Sequence, residues 1–292
     1  MEGRIIKGIA GFYYVYIPSK GLWECKAKGI FRKEGIKPLV GDRVKLDPVD
    51  TKEKEGNITG ILARSNELIR PAAANIDQAV TVFSVKSPQP NLNLLDRFLI
   101  MLQQKKIPCI LVFNKCDLAA PSERKELEAV YANSGCRVLF LSALKNQGME
   151  ELQALLRDKT SIVAGPSGVG KSSIINLLQS HISMETGKIS EKIERGKHTT
   201  RHSQLIPLSD SAFIMDTPGF SSLAVFDLKK EELEGYYPEF EDYREECRFL
   251  GCSHTHEPDC GVKRALEQEK ISRIRYENYT QIYEELKNIR KY

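Results

Sequence analysis

Over the first 70 residues, apolar and polar positions alternate in short runs broken by turn chemistry. Residues 5–17, 23–31, 42–48 and 56–62 read as β-strands, separated by segments such as Pro-Ser-Lys-Gly at 18–21 and Lys-Glu-Gly-Ile-Lys-Pro at 33–38. Four or five short strands predict a small β-barrel. The OB-fold leads, and an SH3-like barrel fits the same pattern.

From about Ile76 the texture changes. Buried-strand runs at 78–85, 109–115, 137–143, 161–165 and 211–217 alternate with helical patterns at 92–105, 122–135, 148–158 and 171–180. That alternation predicts a mostly parallel sheet with helices on both faces. After Asp227 strand character disappears, leaving acidic helical stretches and one long terminal helix from Lys263 to about Lys291. Within that helix Ile271, Ile274, Tyr279, Ile282 and Leu286 fall at core spacing. Lys263, Arg264, Lys270, Arg273 and Arg275 form a basic half that is either solvated or touches RNA. The expected architecture is therefore multidomain: a barrel over 1–70, an α/β domain over 71–226 and a helical domain over 227–292.

Charge sharpens this division. The chain of 292 residues carries +4, but residues 1–70 hold 14 Lys or Arg against 9 Asp or Glu, and the remainder holds 29 against 30. The positive excess sits in the barrel and points to a phosphate-rich partner there. No apolar run approaches the roughly 20 residues that cross a bilayer. The tyrosine-heavy stretch at 8–18 lacks the cleavage site of a signal peptide, so a soluble, cytoplasmic protein is expected. Four of the seven cysteines are scattered and three crowd around one histidine, the pattern of a reducing compartment with one metal site.

Gly165-Pro166-Ser167-Gly168-Val169-Gly170-Lys171-Ser172 matches G-x-x-x-x-G-K-S between an apolar strand and a helix that opens with Ser173. Such a turn cradles phosphate oxygens in backbone N–H groups at a helix N-terminus. Lys171 reaches the β- and γ-phosphates, and Ser172 places a hydroxyl on Mg²⁺. Asn114-Lys115-Cys116-Asp117 ends another strand. The Asp117 carboxylate can accept from guanine's ring N–H and amine, whereas adenine offers neither donor, so the wrong purine leaves a buried acceptor unpaired. Asn114 braces the loop and Lys115 lays its stem across the base. Ser142 and Ala143, after the next strand, are placed to give a backbone N–H to the guanine carbonyl. Asp216-Thr217-Pro218-Gly219 ends a further strand, with Asp216 holding Mg²⁺ through water and the Gly219 N–H meeting the γ-phosphate. Between these lies a basic loop with His198, Thr199 and Thr200, either threonine being able to complete the Mg²⁺ shell. Phe220 directly follows Gly219, and a phenyl ring cannot orient water by hydrogen bonding as a glutamine there would, which predicts slow turnover without help; His198 is the nearest polar substitute.

Cys247, Cys252, His254 and Cys260 offer three thiolates and an imidazole. A closed set of four predicts a structural Zn²⁺, with His256 as an alternative ligand. The segment looks too short to hold its shape by burial alone, so the metal is expected to supply its folding energy.

The Asn-Lys-x-Asp and Ser-Ala-Leu motifs precede the phosphate loop, the reverse of the usual order, so the chain looks circularly permuted. With the barrel in front and the Cys/His cluster behind, it closely resembles the ribosome-small-subunit-dependent GTPase A family over essentially its whole length. The resemblance implies hydrolysis of GTP to GDP and phosphate, stimulated by the small ribosomal subunit, with contact to ribosomal RNA. It implies a role in late subunit maturation, in which hydrolysis times release. It also favours His254 as the zinc ligand and His198, with Lys171 and Thr200, as catalytic residues. The expected cofactors are one Zn²⁺, and Mg²⁺ with GTP; a monomer without membrane contact is expected. In such a chain the stretch at 221–228 is the only connector from the Asp216 loop to the C-terminal domain.

Overall fold

A computed structural model describes residues 1–29, 31, 35–68, 71–186, 204–216 and 228–288, with the backbone alone at 181–186. His198, Thr199, Thr200, Gly219, Phe220 and the connector at 221–227 lie outside the described residues. In chain order the strands are β1 (Glu2–Ile9), β2 (Phe12–Ile17), β3 (Gly21–Ala27), β4 (Arg43–Asp50), β5 (Glu55–Ile61), β6 (Glu67–Leu68), β7 (Ala73–Ala74), β8 (Gln78–Ser84), β9 (Cys109–Asn114), β10 (Arg137–Phe140), β11 (Thr160–Ala164), β12 (Leu205–Pro207) and β13 (Phe213–Asp216). The helices are α1 (Leu92–Gln104), α2 (Pro121–Tyr131), α3 (Met149–Leu156), α4 (Lys171–Thr186), α5 (Glu241–Arg244), α6 (Gly261–Glu267) and α7 (Arg273–Asn288). Two compact units result. The first comprises Met1–Val80, Ala143–Ala164 and Gly170–Phe220, the second Thr81–Ser142, Gly165–Val169 and Ser221–Tyr292.

In the first unit, β1 to β5 close into a barrel of order β1-β2-β3-β5-β4, with β3 and β5 parallel and β1 returning to β4 antiparallel. This Greek-key closure is OB-like. Alternation along β4 sends Val44 and Leu46 inward and Arg43, Lys45 and Asp47 outward, and Trp23, Val15 and Ile58 fill the interior. The expected strand at 5–17 is two strands. Ala10 and Gly11 both take left-handed conformations (φ 50° and 87°), and the chain folds back as a hairpin with Ile9 opposite Phe12. An alanine at the first turn position hides that break in the sequence. Below the barrel, Asp42 is fully buried and grips the Arg64 guanidinium at 2.7 and 2.8 Å. Also in this unit, the Tyr16 hydroxyl donates to Asp210 (2.6 Å), while the Arg4 guanidinium donates to the Thr160 hydroxyl and covers the Phe213 ring. These contacts fasten the barrel to a sheet in which the opening residues of β8 neighbour β11, followed by β13 and then β12.

In the second unit, the closing residues of β8 neighbour β9, which runs parallel to β10 with Ile110 opposite Arg137. The same unit holds α1, α2 and the C-terminal segment. Among its described residues that segment has helices and turns but no strand, with 3-10 turns over Lys230–Tyr236 and Pro238–Phe240 before α5 and a loop over 245–260 that carries the Cys/His cluster. It has a core of its own: Leu233, Tyr237, Phe240, Tyr279 and Ile282 are buried together with Ile100 of α1. Burial is therefore substantial here, against the expectation that metal alone holds the segment. The aromatic density and the helix α1 that completes the core are what the segment's length conceals.

The single long terminal helix is also corrected. It breaks between Glu267 and Arg273, where Glu269 is left-handed (φ 57°). The break resets the helical phase, so Ile274 is 40% exposed instead of buried, while Ile271, Tyr279, Ile282 and Leu286 are core as expected. Arg275 takes the inward position and is neither solvated nor available to RNA. Its side chain is 1% exposed and bonds Asp96 of α1 (0% exposed) and Glu239 (4% exposed), each at 2.6 Å, with the Tyr237 ring 4.5 Å from its guanidinium. Asn278 donates to the other Asp96 oxygen at 2.7 Å.

Removing one member of a buried ion cluster strands the others without solvation, which costs about 3–5 kcal/mol. Arg275→Leu should lower the urea midpoint of the second unit accordingly. Arg264→Leu, on the half-exposed side of α6, should stay within about 0.5 kcal/mol of wild type. Equal midpoints for the two variants would show that the Arg275 cluster does not hold the unit together.

Candidate functional site

Within the second unit, the Asn114 turn and the first half of the phosphate loop are joined directly. Parallel pairing of β9 with β10 ends at Phe113 opposite Phe140; the Leu141 N–H donates to the Phe113 carbonyl and the Cys116 N–H to the Leu141 carbonyl. Lys115 sits at φ 62°, which turns the chain sharply out of the strand. The buried Asn114 amide donates to the Val169 carbonyl at 2.8 Å. The Lys115 ammonium donates to the carbonyls of Gly168 (2.8 Å) and Ser87 (2.6 Å). Asn114 thus ties its own turn to the 165–169 stretch. The lysine head holds backbone, which leaves its methylene stem as the part able to cover a base. Asp117 is half-buried in the 3-10 turn Cys116–Leu118, and Ser142 is fully buried just beyond β10.

The loop's glycines are conformational requirements. Gly165 has φ 137°, and a Cβ there would overlap the Val82 carbonyl. Gly168 and Gly170 are left-handed at φ 77° and 97°, which an L side chain rarely adopts. Val169 is buried, Pro166 is half-buried and Ser167 is exposed at the tip.

In the first unit, Lys171 is the first residue of α4, and the Ile174 N–H closes the first turn onto the Gly170 carbonyl. Partial burial pushes the Lys171 ammonium below the usual lysine value, with the nearby Asp216 carboxylate pulling the other way. A cation losing water in this way is poised to gain from an anionic ligand. Asp216 ends β13 opposite Val163 of β11, and Ser172 and Ser173 are exposed at the helix start. Sequence reasoning missed the turn after β8. Ser87 gives its carbonyl to Lys115, and Pro88 packs 3.9 Å from where a Gly168 side chain would start. The signal was the Ser-Pro-Gln-Pro run at 87–90, which sits at a strand end like the better-known motifs.

The Cys/His cluster assembles as expected. The donor atoms of Cys247, Cys252, His254 and Cys260 all lie within 4.8 Å of one another. The Cys247 and Cys260 sulfurs are 3.8 Å apart, and His254 Nδ1 is 3.6 and 3.4 Å from them. A tetrahedron with metal–sulfur bonds of about 2.3 Å and a metal–nitrogen bond of about 2.0 Å has edges of roughly 3.5–3.8 Å, so the set can hold one zinc-sized ion. Burial pushes the Cys252 thiol up to about 12 and raises Cys260 as well, so a cation is the group that would bring these sulfurs to the thiolate form. The other imidazole nitrogen, Nε2, is 2.7 Å from Glu234, and that carboxylate fixes which nitrogen faces the thiols. His256 points away with its side chain 83% exposed. Glu257 accepts from the Ser253 and Thr255 N–H groups and shapes the loop around His254. Neither Glu234 nor Glu257 stood out in the sequence, because a lone glutamate in an acidic stretch carries no spacing signal.

His254→Ala should weaken Co²⁺ binding to the purified protein and shift the ligand-field bands of the bound ion, and His256→Ala should leave both unchanged. The reverse pattern would exchange the two histidines.

Sequence profiles of known families match the chain over two stretches: the RsgA N-terminal domain at residues 2–58 and the RsgA GTPase at residues 61–226. A protein of Agathobacter rectalis named small ribosomal subunit biogenesis GTPase RsgA is 55% identical, with all of both chains covered. One of the same name from Alkaliphilus metalliredigens is 47% identical over 100% of this chain and 99% of its own. Among solved structures, YjeQ from Thermotoga maritima superposes with a TM-score of 0.81 at 34% identity, covering 99% of each chain. YloQ, described as a circularly permuted GTPase, gives 0.79 at 37% identity, covering 100% of this chain and 96% of its own.

Proposed function

The chain belongs to the RsgA GTPase family, and on that footing we propose that it hydrolyses GTP to GDP and phosphate in the biogenesis of the small ribosomal subunit. The observation that carries the reading is the Asn114 and Lys115 grip on the phosphate loop, which makes a purine-reading turn and a phosphate-binding turn parts of one unit. In this reading Asp117 accepts from guanine, the backbone at Ser142 and Ala143 meets its carbonyl, and the N–H groups from Gly165 to Ser173 receive the phosphates. Lys171 neutralises the β- and γ-phosphates. Ser172 and Asp216 hold Mg²⁺, with Thr200 completing its shell and Gly219 meeting the γ-phosphate. His198 stands in for the missing glutamine. Mg²⁺, held by Ser172, Asp216 and Thr200, would supply positive charge beside the phosphates.

The same reading divides the work among three stretches. The basic barrel of residues 1–70 binds ribosomal RNA, residues 71–226 carry the GTPase, and residues 227–292 carry one structural Zn²⁺ on Cys247, Cys252, His254 and Cys260. The protein acts in the cytoplasm as a monomer. Hydrolysis is slow alone, is stimulated by the small subunit and times release from it. Among the described residues no helix is long and apolar enough to cross a membrane.

Asp117→Asn should weaken GTP binding and move preference toward xanthosine triphosphate, whose extra carbonyl can accept from the new amide. Unchanged preference for GTP in a competition assay would remove Asp117 from the base site. Co-sedimentation tests the partner: the protein should pellet with purified small subunits in a non-hydrolysable GTP analogue and largely remain in the supernatant with GDP. Equal pelleting in both nucleotides would contradict release timed by hydrolysis, and no pelleting in either would remove the small subunit as partner.

A further inference from the structure

Two cysteines outside the motifs meet at the far ends of β9 and β10 from the Asn114 turn. Cys109 is the first residue of β9, and Cys136 immediately precedes β10. Because Ile110 lies opposite Arg137 in the parallel register, Cys109 and Cys136 fall one step back along the same pairing. Adjacent strands lie roughly 4.8 Å apart, inside the Cα separation of roughly 4.4–6.8 Å that a disulfide bridges. Each thiol shifts the titration of the other. The remaining contacts are polar: the Cys109 sulfur lies 3.3 Å from the Thr81 hydroxyl, and the Cys136 sulfur lies 3.8 Å from the Ser134 carbonyl. Both residues are partly exposed, unlike Cys25 and Cys116, which are buried.

We infer that Cys109 and Cys136 are a redox modification site, at which a low-molecular-weight disulfide converts the two thiols to an intramolecular bond. The two sulfurs have different parts. The Cys109 side chain lowers the Cys136 thiol below its ordinary value despite burial, with help from the Ser134 side chain and the Arg275 cation and opposition from Glu239. The same pairing, with burial, raises Cys109. Cys136 is thus the attacking sulfur and Cys109 the resolving one.

The Cys136 thiolate attacks one sulfur of R–S–S–R, forming Cys136–S–S–R and releasing R–S⁻. Cys109 then loses its proton, attacks the Cys136 sulfur and expels the second R–S⁻. The two released thiolates take up the two protons that the cysteines gave up. The protein loses two electrons and the reagent gains them, so no further oxidant is needed. The bond closes a covalent ring around β9, the Asn114 turn and α2.

The test holds the full-length, metal-loaded protein in buffers of graded oxidised-to-reduced glutathione ratio, followed by acid quench, alkylation and peptide mass mapping. The expected result is a linked Cys109–Cys136 peptide that forms at ratios leaving Cys25 and Cys116 alkylated. Cys109→Ser should stop at a glutathione adduct on Cys136, and Cys109→Ala should do the same, so a fold defect in one variant does not decide the matter. Cys136→Ser should give no adduct on Cys109 at those ratios. A glutathione adduct that persists on wild-type Cys136, or two freely alkylated thiols at every glutathione ratio, would overturn the assignment.

Discussion

Two donors on one short turn, the Asn114 amide and the Lys115 ammonium, hold the carbonyls of Val169 and Gly168. In the proposed reading those carbonyls belong to a loop that receives phosphate, and a carbonyl left facing an anion would repel it. Engaging them with protein donors turns these carbonyls away from such a ligand. The constraint explains the glycines. A backbone turned so that consecutive carbonyls meet one neighbouring turn needs the left-handed angles of Gly168 and Gly170, and the close pass of Gly165 over Val82 admits no side chain. Chain order is immaterial to this arrangement. What it requires is that β8, β9 and the loop be neighbours, which a permuted chain satisfies as well as an ordinary one.

Elsewhere in the same unit a second buried polar assembly does comparable work. Arg275 between Asp96 and Glu239 joins α7 to α1, and the aromatic core of Tyr237, Phe240 and Tyr279 closes around it. The His254 ring packs edge-on to Phe240, with ring centres 5.7 Å apart, so the metal cluster is continuous with that core. Burial thus holds the four ligand side chains together, and a bound ion would add to that core. A charge cluster without solvent is costly unless every partner is present, which makes the docking of α7 on α1 specific in a way an apolar contact would not be.

The motifs were legible because each combines a fixed spacing with a required neighbour: a strand before, a helix after, or four ligands in a short span. The barrel's strands were legible from alternation, apart from the Ala10–Gly11 turn, whose first residue is an ordinary helix former. The terminal helix misled for a related reason. Glu269 is a residue of high helix propensity, so nothing local announces a left-handed break there; tertiary packing sets it, and the phase of every residue beyond it follows. Arg275 was then read as surface because arginine usually is, and its two buried carboxylate partners lie 36 and 179 positions away. Long-range ion pairing of that kind leaves no periodic trace.

The central claim is that this chain is a GTPase whose chemistry answers to the small ribosomal subunit, and phosphate release tests it most directly. With GTP and Mg²⁺, turnover should be slow for the protein alone, rise when purified small subunits are added, and stay at the basal level with large subunits. A rate unchanged by small subunits, or raised equally by both, would contradict the account.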